Sequence, residues 1–539
     1  MKAAQAMIKC LELEGVKDLF GYPGAAICPF YDALARSNIR HILVRQEQNA
    51  AHAASGYARA TGKPAVCVAT SGPGATNLIT GIATAYADSI PMVAITGQVV
   101  SDLLGRDVFQ EADITGAVEP FIKHSYLIKN ASDIPRVFKE AFYIAGTGRP
   151  GPVLIDVPMD IQNEEIEFSY PETVSIRGYK PSVKGHPLQI KRVVSAVKEA
   201  KKPVICAGGG LFATDAREEL ARLAERCHIP VITTMMGIGA IPSAHPLHYG
   251  MLGTHGRRVA NTAVNESDLL ILIGARVGDR AVTTPGVLQK RTKIIHIDID
   301  PAEIGKNMDA QIPLVGDAKI ILRQILDAVG EDCDPHSEWL AALDALRDKE
   351  PVQSEREDGG INPKLFLKKL SAAADEDCIV VADVGQNQIW TANYFQVKKG
   401  RLLTTGGMGT MGYSVGAAEG VKTAKPDTQV IAVCGDGSFQ MQMMELGTIC
   451  QNRIPVKIIV MKNNRLGMVR ELQKNLYKGN YSGVDLDGSP DFVKLAEAYG
   501  IASKRISRAQ EEPDAIQELL ACEGPFLLEC VVSPEETTL

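Results

Sequence analysis

The 539-residue sequence has no Cys-x-x-Cys pair, and its ten histidines form no zinc-spaced set, which argues against a structural zinc site. Its eleven cysteines are odd in number. Cys67, Cys206 and Cys434 lie inside apolar strand-like runs, so they read as reduced core residues of a cytoplasmic protein rather than a disulfide framework. No apolar run approaches the ~18 residues that a membrane-crossing helix requires. The opening stretch, MKAAQAMIKCLELEG, is interrupted by Lys9, Glu12 and Glu14 and reads as an amphipathic helix, not a secretion signal. Neither sign of charge dominates. The net charge is −7 and the basic residues are dispersed, which removes the electrostatic basis for nucleic-acid binding. A G-x-G-x-x-G dinucleotide fingerprint is also missing, since Gly208-Gly209-Gly210 runs into Leu-Phe-Ala.

What the chain does contain is a soluble composition, 45% apolar, with 49 glycines that recur at the ends of apolar runs. Strand and helix signals alternate in three blocks, 1–165, 185–335 and 360–539. The joins are a polar stretch at 163–186 and a charged one from Asp348 to Gly360. That alternation predicts an α/β fold of three doubly wound parallel-sheet domains. Ligands of such sheets lie beyond the carboxyl ends of the strands, where the turns Gly21-Tyr22-Pro23-Gly24 and Ser71-Gly72-Pro73-Gly74 fall. Either turn alone is equally a chain reversal.

The stretch from Val430 to Asn464 organises the rest. A buried strand (Val430 to Cys434) turns through Gly435-Asp436-Gly437-Ser438 into a helix expected at about Phe439 to Gln451, with Met441, Met444, Leu446 and Ile449 available to face the sheet. A second buried strand, Val456 to Met461, ends on Asn463 and Asn464. A right-handed crossover brings Asp436 and Asn463 to the same sheet edge. Their side-chain oxygens, with the backbone carbonyl of Arg465, make an oxygen-only set suited to Mg²⁺ and hence to a metal-anchored diphosphate. GDG alone is an ordinary turn; GDGS with the second strand ending in two amides is not.

This pairing resembles the signature of thiamine-diphosphate enzymes. The segments FQE at 109–111 and KH at 123–124 narrow the resemblance to the large catalytic subunit of acetolactate synthase (acetohydroxyacid synthase), which it matches along nearly the whole chain. The resemblance implies three cofactors: thiamine diphosphate, Mg²⁺ and FAD. It implies that Glu47, otherwise a helix first-turn acid, protonates N1′ of the aminopyrimidine. Phe109, Gln110, Lys123 and Arg280 would line the substrate approach, although singly they could be core, cap or solvated charge. Diphosphate contacts fall on Val384, Gly385, Gln386 and Asn387 (the family has His there) and on the 435–438 turn. Gly409, Thr410 and Met411 would hold the cofactor bent. FAD contacts fall on Arg149; on Gly208, Gly209 and Gly210; on Met251, Leu252, Gly253, Thr254 and His255; on Gly274, Ala275, Arg276 and Asp279; and on Asp298 and Asp317. Met468 and Val469 match the segment over the site, whereas Leu472 replaces a family tryptophan. The chain stops at VVSPEETTL, short of the family's Pro-rich tail.

The implied reaction decarboxylates pyruvate and joins the two-carbon unit to pyruvate or 2-ketobutyrate, the first common step of branched-chain amino-acid synthesis. A homodimer or higher homo-oligomer and a small regulatory subunit are implied as well. The competing expectations are a carboligase for another acceptor, a thiamine- and FAD-dependent pyruvate oxidase, and a non-catalytic nucleotide-binding protein.

Overall fold

The computed structural model describes residues 1–282, 285–330 and 333–538. Three six-stranded sheets are present, every strand pairing parallel within each. The first contains β1 (Asp18–Gly21), β2 (Arg40–Leu43), β3 (Ala65–Ala69), β4 (Met92–Gln98), β5 (His124–Leu127) and β6 (Pro152–Pro158). The second contains β7 (Pro203–Ala207), β8 (Val231–Thr233), β9 (His248–Met251), β10 (Leu269–Ile273), β11 (Lys293–Asp298) and β12 (Ile312–Val315). The third contains β13 (Ile379–Ala382), β14 (Arg401–Leu403), β15 (Val430–Gly435), β16 (Lys457–Lys462), β17 (Ala502–Ile506) and β18 (Phe526–Val531). Helices cover both faces, so central strands such as Ala65–Ala69 and Leu269–Ile273 are buried at every position.

The strand order carries the functional information. The first sheet runs β2-β1-β3-β4-β6-β5 and the third β14-β13-β15-β16-β18-β17, the same order twice. The second runs β12-β11-β10-β7-β8-β9, which is the 3-2-1-4-5-6 order of dinucleotide-binding folds. In each sheet the order reverses between two central strands, and ligands of such sheets bind in the crevice that this reversal opens. The crevices lie at β1/β3, β7/β10 and β13/β15.

The outer sheets are joined through two helices, Glu47–Thr61 and Ser414–Ala424. Glycines let their backbones touch: a Cβ on Gly56 would lie on the Ala417 carbonyl, and one on Gly420 on the Ala53 carbonyl. Neither backbone can retreat, because both helices are buried against their own sheets. Gly420→Ala is therefore expected to cost about 1–3 kcal/mol by overpacking, read as a lower urea midpoint with the catalytic residues untouched.

Local readings fared unevenly. The strands expected at Val430–Cys434 and Val456–Met461 form as β15 and β16, whereas β9, β14, β17 and β18 were not anticipated. The expected 439–451 helix is instead broken. A short helix, Asp436–Gln440, is followed by a 3₁₀ turn, Met443–Glu445, and a second helix, Leu446–Asn452. Leu446 and Ile449 are buried as expected, whereas Met441 is 50% exposed. Among the described residues no helix is long and apolar enough to cross a membrane.

Candidate active site

Gly435 pairs with Met461, so the residues that follow β15 and β16 emerge side by side. Asp436 is buried there. One carboxylate oxygen accepts the N–H groups of Asn463 (3.2 Å) and Asn464 (2.6 Å), and the other accepts that of Gly437 (3.0 Å). Burial pushes this carboxyl up to about 6, against the pull of those three donors. Asn463 Nδ2 donates to Gln386 Oε1 (3.3 Å), while its Oδ1 accepts the Arg465 N–H (3.0 Å). Gln386 is itself fixed, donating to Glu471 (3.0 Å) and to the Glu536 carbonyl (2.7 Å). Gly467 is obligatory beside them, because a Cβ would lie on Gln386 Oε1. No group of three or more His, Cys, Asp or Glu side chains is arranged as a metal site among the described residues. The protein thus brings one carboxylate and one amide oxygen to this edge. That set fits Mg²⁺, which keeps positions for phosphate oxygens.

Across the β13/β15 crevice lies Val384-Gly385-Gln386-Asn387, with Gly385 at φ 140°. Asn387 Nδ2 donates to the Asp383 carbonyl (2.8 Å), which orients its amide toward Gly435. The turn holding Gly409, Thr410 and Met411 closes the same crevice, and a Cβ on Gly437 would come within 3.7 Å of the Met411 methyl. Thr410 Oγ1 meets Thr84 Oγ1 at 2.7 Å, and Asp88 accepts the Gly407 N–H (2.8 Å), so the first sheet's helices brace this turn. Asp383 was not singled out from the sequence. It looked like any strand-end acid, yet it is fully buried at the base of the crevice. The helix Gly467–Leu476 borders the site with Met468, Val469 and Leu472, the last two 43% and 45% exposed. Its Arg470 and Glu471 are held by Glu535 (2.6 Å) and Thr538 Oγ1 (2.9 Å).

At the β1/β3 crevice Glu47 opens its helix half-buried, accepting from Asn77 Nδ2 (3.0 Å). A Cβ on Gly74 would come within 3.3 Å of Glu47 Oε1, and one on Gly24 within 2.5 Å of Thr70 Cβ. Gly72 abuts Gln110, which sits at φ 59°, while Phe109 beside it is 87% exposed. Glu47, Gln110 and both glycine turns therefore share one edge. The hydroxyls of Thr70 and Ser71 in this crevice are buried without a hydrogen-bond partner. Lys123 does not join them. Its ammonium caps the Ile134–Gly146 helix through the carbonyls of Ile144 and Thr147 (2.8 Å for the latter) and meets Tyr179 OH at 3.1 Å. Burial lowers it to about 8.

At the β7/β10 crevice Gly208, Gly209 and Gly210 face Gly274 (φ +55°), so closely that a Cβ on Gly208 would lie on the Gly274 carbonyl. Ala275 is buried next to it. Met251 and Leu252 are buried, and Gly253 (φ +119°) and Thr254 pack on the Arg280 carbonyl. His255 Nδ1 is buried without a partner, and burial lifts Asp298 to about 6. Arg149 bridges Asp300 (3.2 Å) and Glu303 (2.8 Å) near the end of β11. Arg276 is close enough to Asp88 to stabilise its charge. Asp317 caps the next helix by accepting from Ile320 (3.0 Å), a role that needs no ligand. Asp279 and Arg280 face solvent, 3.7 Å apart. The strand order, the glycine-lined crevice and the unpartnered His255 nitrogen together fit a dinucleotide.

Three family models match the chain: thiamine pyrophosphate enzyme, N-terminal TPP binding domain, at residues 1–117; the central domain at 190–325; and the C-terminal TPP binding domain at 383–530. A probable acetolactate synthase large subunit of Methanocaldococcus jannaschii is 50% identical, over 99% of this chain and 93% of its own length. One of Methanococcus aeolicus is 47% identical over 99% and 92%. The acetolactate synthase large subunit of Corynebacterium glutamicum is 46% identical over 96% and 84%.

Proposed function

The chain belongs to the acetolactate synthase large subunits of the thiamine pyrophosphate enzyme family, and from that premise we propose that it decarboxylates pyruvate and joins the two-carbon unit to a second 2-ketoacid. The products are 2-acetolactate from pyruvate and 2-aceto-2-hydroxybutyrate from 2-ketobutyrate. The observation that carries this reading is the oxygen site of Asp436 and Asn463 at one crevice, with Glu47 and Gln110 together at another.

Thiamine diphosphate, when bound, supplies the electron sink that lets the bond to carbon dioxide break. Asp436, Asn463 and the Arg465 carbonyl would hold Mg²⁺. Gln386, Asn387 and the 435–438 turn would hold the diphosphate, and Met411 would support the bend. Glu47 would hold the proton at N1′ of the aminopyrimidine. Gln110 and Arg280 would orient the second ketoacid. The ammonium of Lys123, engaged on helix carbonyls, would need to leave them before it could assist. FAD would lie in the β7/β10 crevice with a structural role.

Glu47 and Asp436 stand on different sheets, and large apolar side chains (Phe109, Met408, Met441) are exposed near their edges. This supports a homodimer as the smallest active unit. The relatives' designation as large subunits supports a small regulatory partner. The free cysteines are consistent with a cytoplasmic setting.

The test is product analysis with thiamine diphosphate, Mg²⁺ and FAD, given pyruvate alone and then with 2-ketobutyrate. Acetolactate is expected from the first. The proportion of mixed product in the second reads the effect of Leu472. Hydrogen peroxide or a reduced acceptor as main product would overturn the synthase reading in favour of an oxidase.

A further inference from the structure

Asp383 has no place in the roles given above, yet it is the most heavily hydrogen-bonded carboxylate at the β13/β15 crevice. One oxygen accepts the N–H groups of Val384 (2.9 Å) and Gly412 (3.0 Å). The other accepts those of Tyr413 (3.0 Å) and Ser414 (2.9 Å) and the Nε2 of Gln442 (2.7 Å). Gln442, also fully buried, accepts the Val415 N–H (2.8 Å) through its Oε1. A single carboxylate thus ties together the end of β13, the turn that carries Met411, and the segment just beyond the Asp436 helix.

A buried carboxylate is a costly way to make a turn, and here five donors converge on its two acceptor oxygens, which no neutral side chain supplies. Burial raises the Asp383 carboxyl, and hydrogen bonds from Ser414, Gly412 and Gln442 oppose that rise. What the charge accomplishes is convergence: three consecutive N–H groups are drawn to one point. Met411 needs such an anchor. It stands between Thr410 and Gly412, and both Gly409 (φ +66°) and Gly412 (φ +84°) sit in left-handed conformations. Glycine leaves the backbone many alternatives, so the position of the Met411 side chain depends on what pins the turn.

We propose that Asp383 is a positioning residue: by gathering the N–H groups of Gly412, Tyr413 and Ser414 it fixes Met411 beneath the bend of thiamine diphosphate, and through it the alignment of the two rings with Glu47. This rests on the thiamine-diphosphate reading of the site. An Asp383→Asn variant keeps the shape but must turn an NH₂ toward at least two of the five donors. Asp436 and Asn463, which would hold Mg²⁺, are not among the partners of the Asp383 carboxylate.

The experiment compares wild type and Asp383→Asn by two measurements. One is calorimetric titration of thiamine diphosphate with Mg²⁺. The other is deuterium uptake at C2 of the bound cofactor in D₂O, read by proton NMR after acid quench. The expected result is a dissociation constant within about 3-fold of wild type and C2 exchange slowed about 10²-fold, the scale of an ångström's misplacement. Unchanged exchange would overturn the proposal, as would a loss of affinity parallel to the loss of exchange, which a merely structural role predicts. Gln442→Met removes one donor while keeping the carboxylate, and should slow exchange to an intermediate degree. In a Met411→Ala background neither change should slow exchange further; additive effects would sink the proposal. Should Asp383→Asn not fold, the Gln442→Met pair carries the same test. Wild type that binds no thiamine diphosphate would overturn the site reading and this proposal together, whereas normal binding with normal exchange in the variants overturns the proposal alone.

Discussion

Glu47→Gln is expected to lower turnover about 10²–10⁴-fold, the usual worth of a positioned general acid–base, without disturbing the fold. Glutamine preserves what the structure shows Glu47 doing for the protein. It fits beside Gly74, and its Oε1 can still accept from Asn77 Nδ2, now 3.0 Å from the carboxylate. The helix start depends little on it, since Gln46 precedes it as the cap and fourteen further residues continue the helix. What an amide cannot do is hold and release a proton at N1′. Turnover should therefore fall at saturating cofactor, while circular dichroism, urea midpoint and cofactor affinity stay near wild type. Turnover within about 3-fold of wild type would rule out Glu47 as the acid, because so small a loss is below what general acid–base catalysis contributes.

Glu47 was singled out through the resemblance, whereas nothing in the sequence pointed to Asp383. Glu47 opens a small-residue helix shortly after the strand that ends at Leu43, a context in which an acid is otherwise an ordinary first-turn residue. The placing of Asp436 beside Asn463 was legible because Val430–Cys434 and Ile458–Met461 are apolar runs, so the strand ends, and hence the neighbourhood of the two side chains, follow from the crossover rule. Asp383 ends an equally clear strand, but four of its five donors lie 29 to 59 residues away along the chain, in the 412–414 turn and at Gln442. No local pattern predicts that convergence. The same holds for the missed strands. β14 is three residues long, and β17 (Ala-Ser-Lys-Arg-Ile) sets two basic residues side by side with Ile506 as its one large apolar side chain. β18 buries Glu529 because Arg505 pairs with it at 2.6 Å. The broken helix after Asp436 was misread because Met441 and Met444 fit a helical period. Met441 is half exposed and does not face the sheet. Lys123 shows the reverse: its place in a familiar segment says nothing of the helix carbonyls that hold its ammonium in this conformation.

Asp436→Asn should abolish Mg²⁺-dependent cofactor binding and lower activity more than about 10²-fold, because changes to the outer partners of a metal site already cost about 10–100-fold and Asp436 would be the metal's only carboxylate. The substitution is nearly isosteric, so the argument turns on which way the amide faces. Its single oxygen can accept the N–H groups of Asn463 and Asn464, which now reach Asp436 at 3.2 and 2.6 Å. The NH₂ then replaces the oxygen that accepts the Gly437 N–H, and a donor stands in place of a ligand. The opposite rotamer restores an oxygen on that side but sets the NH₂ against the two backbone N–H groups that close the 463–464 turn. Either way the cation loses its charged partner. Burial pushes the Asp436 carboxyl up to about 6, so the fold alone carries that charge at a cost, and an amide there is not expected to weaken the apo-protein. Calorimetry with Mg²⁺ and thiamine diphosphate, beside a urea titration of the same sample, separates the two effects. Cofactor affinity within about 10-fold of wild type would place the Mg²⁺ site elsewhere, since that is less than even an outer partner contributes.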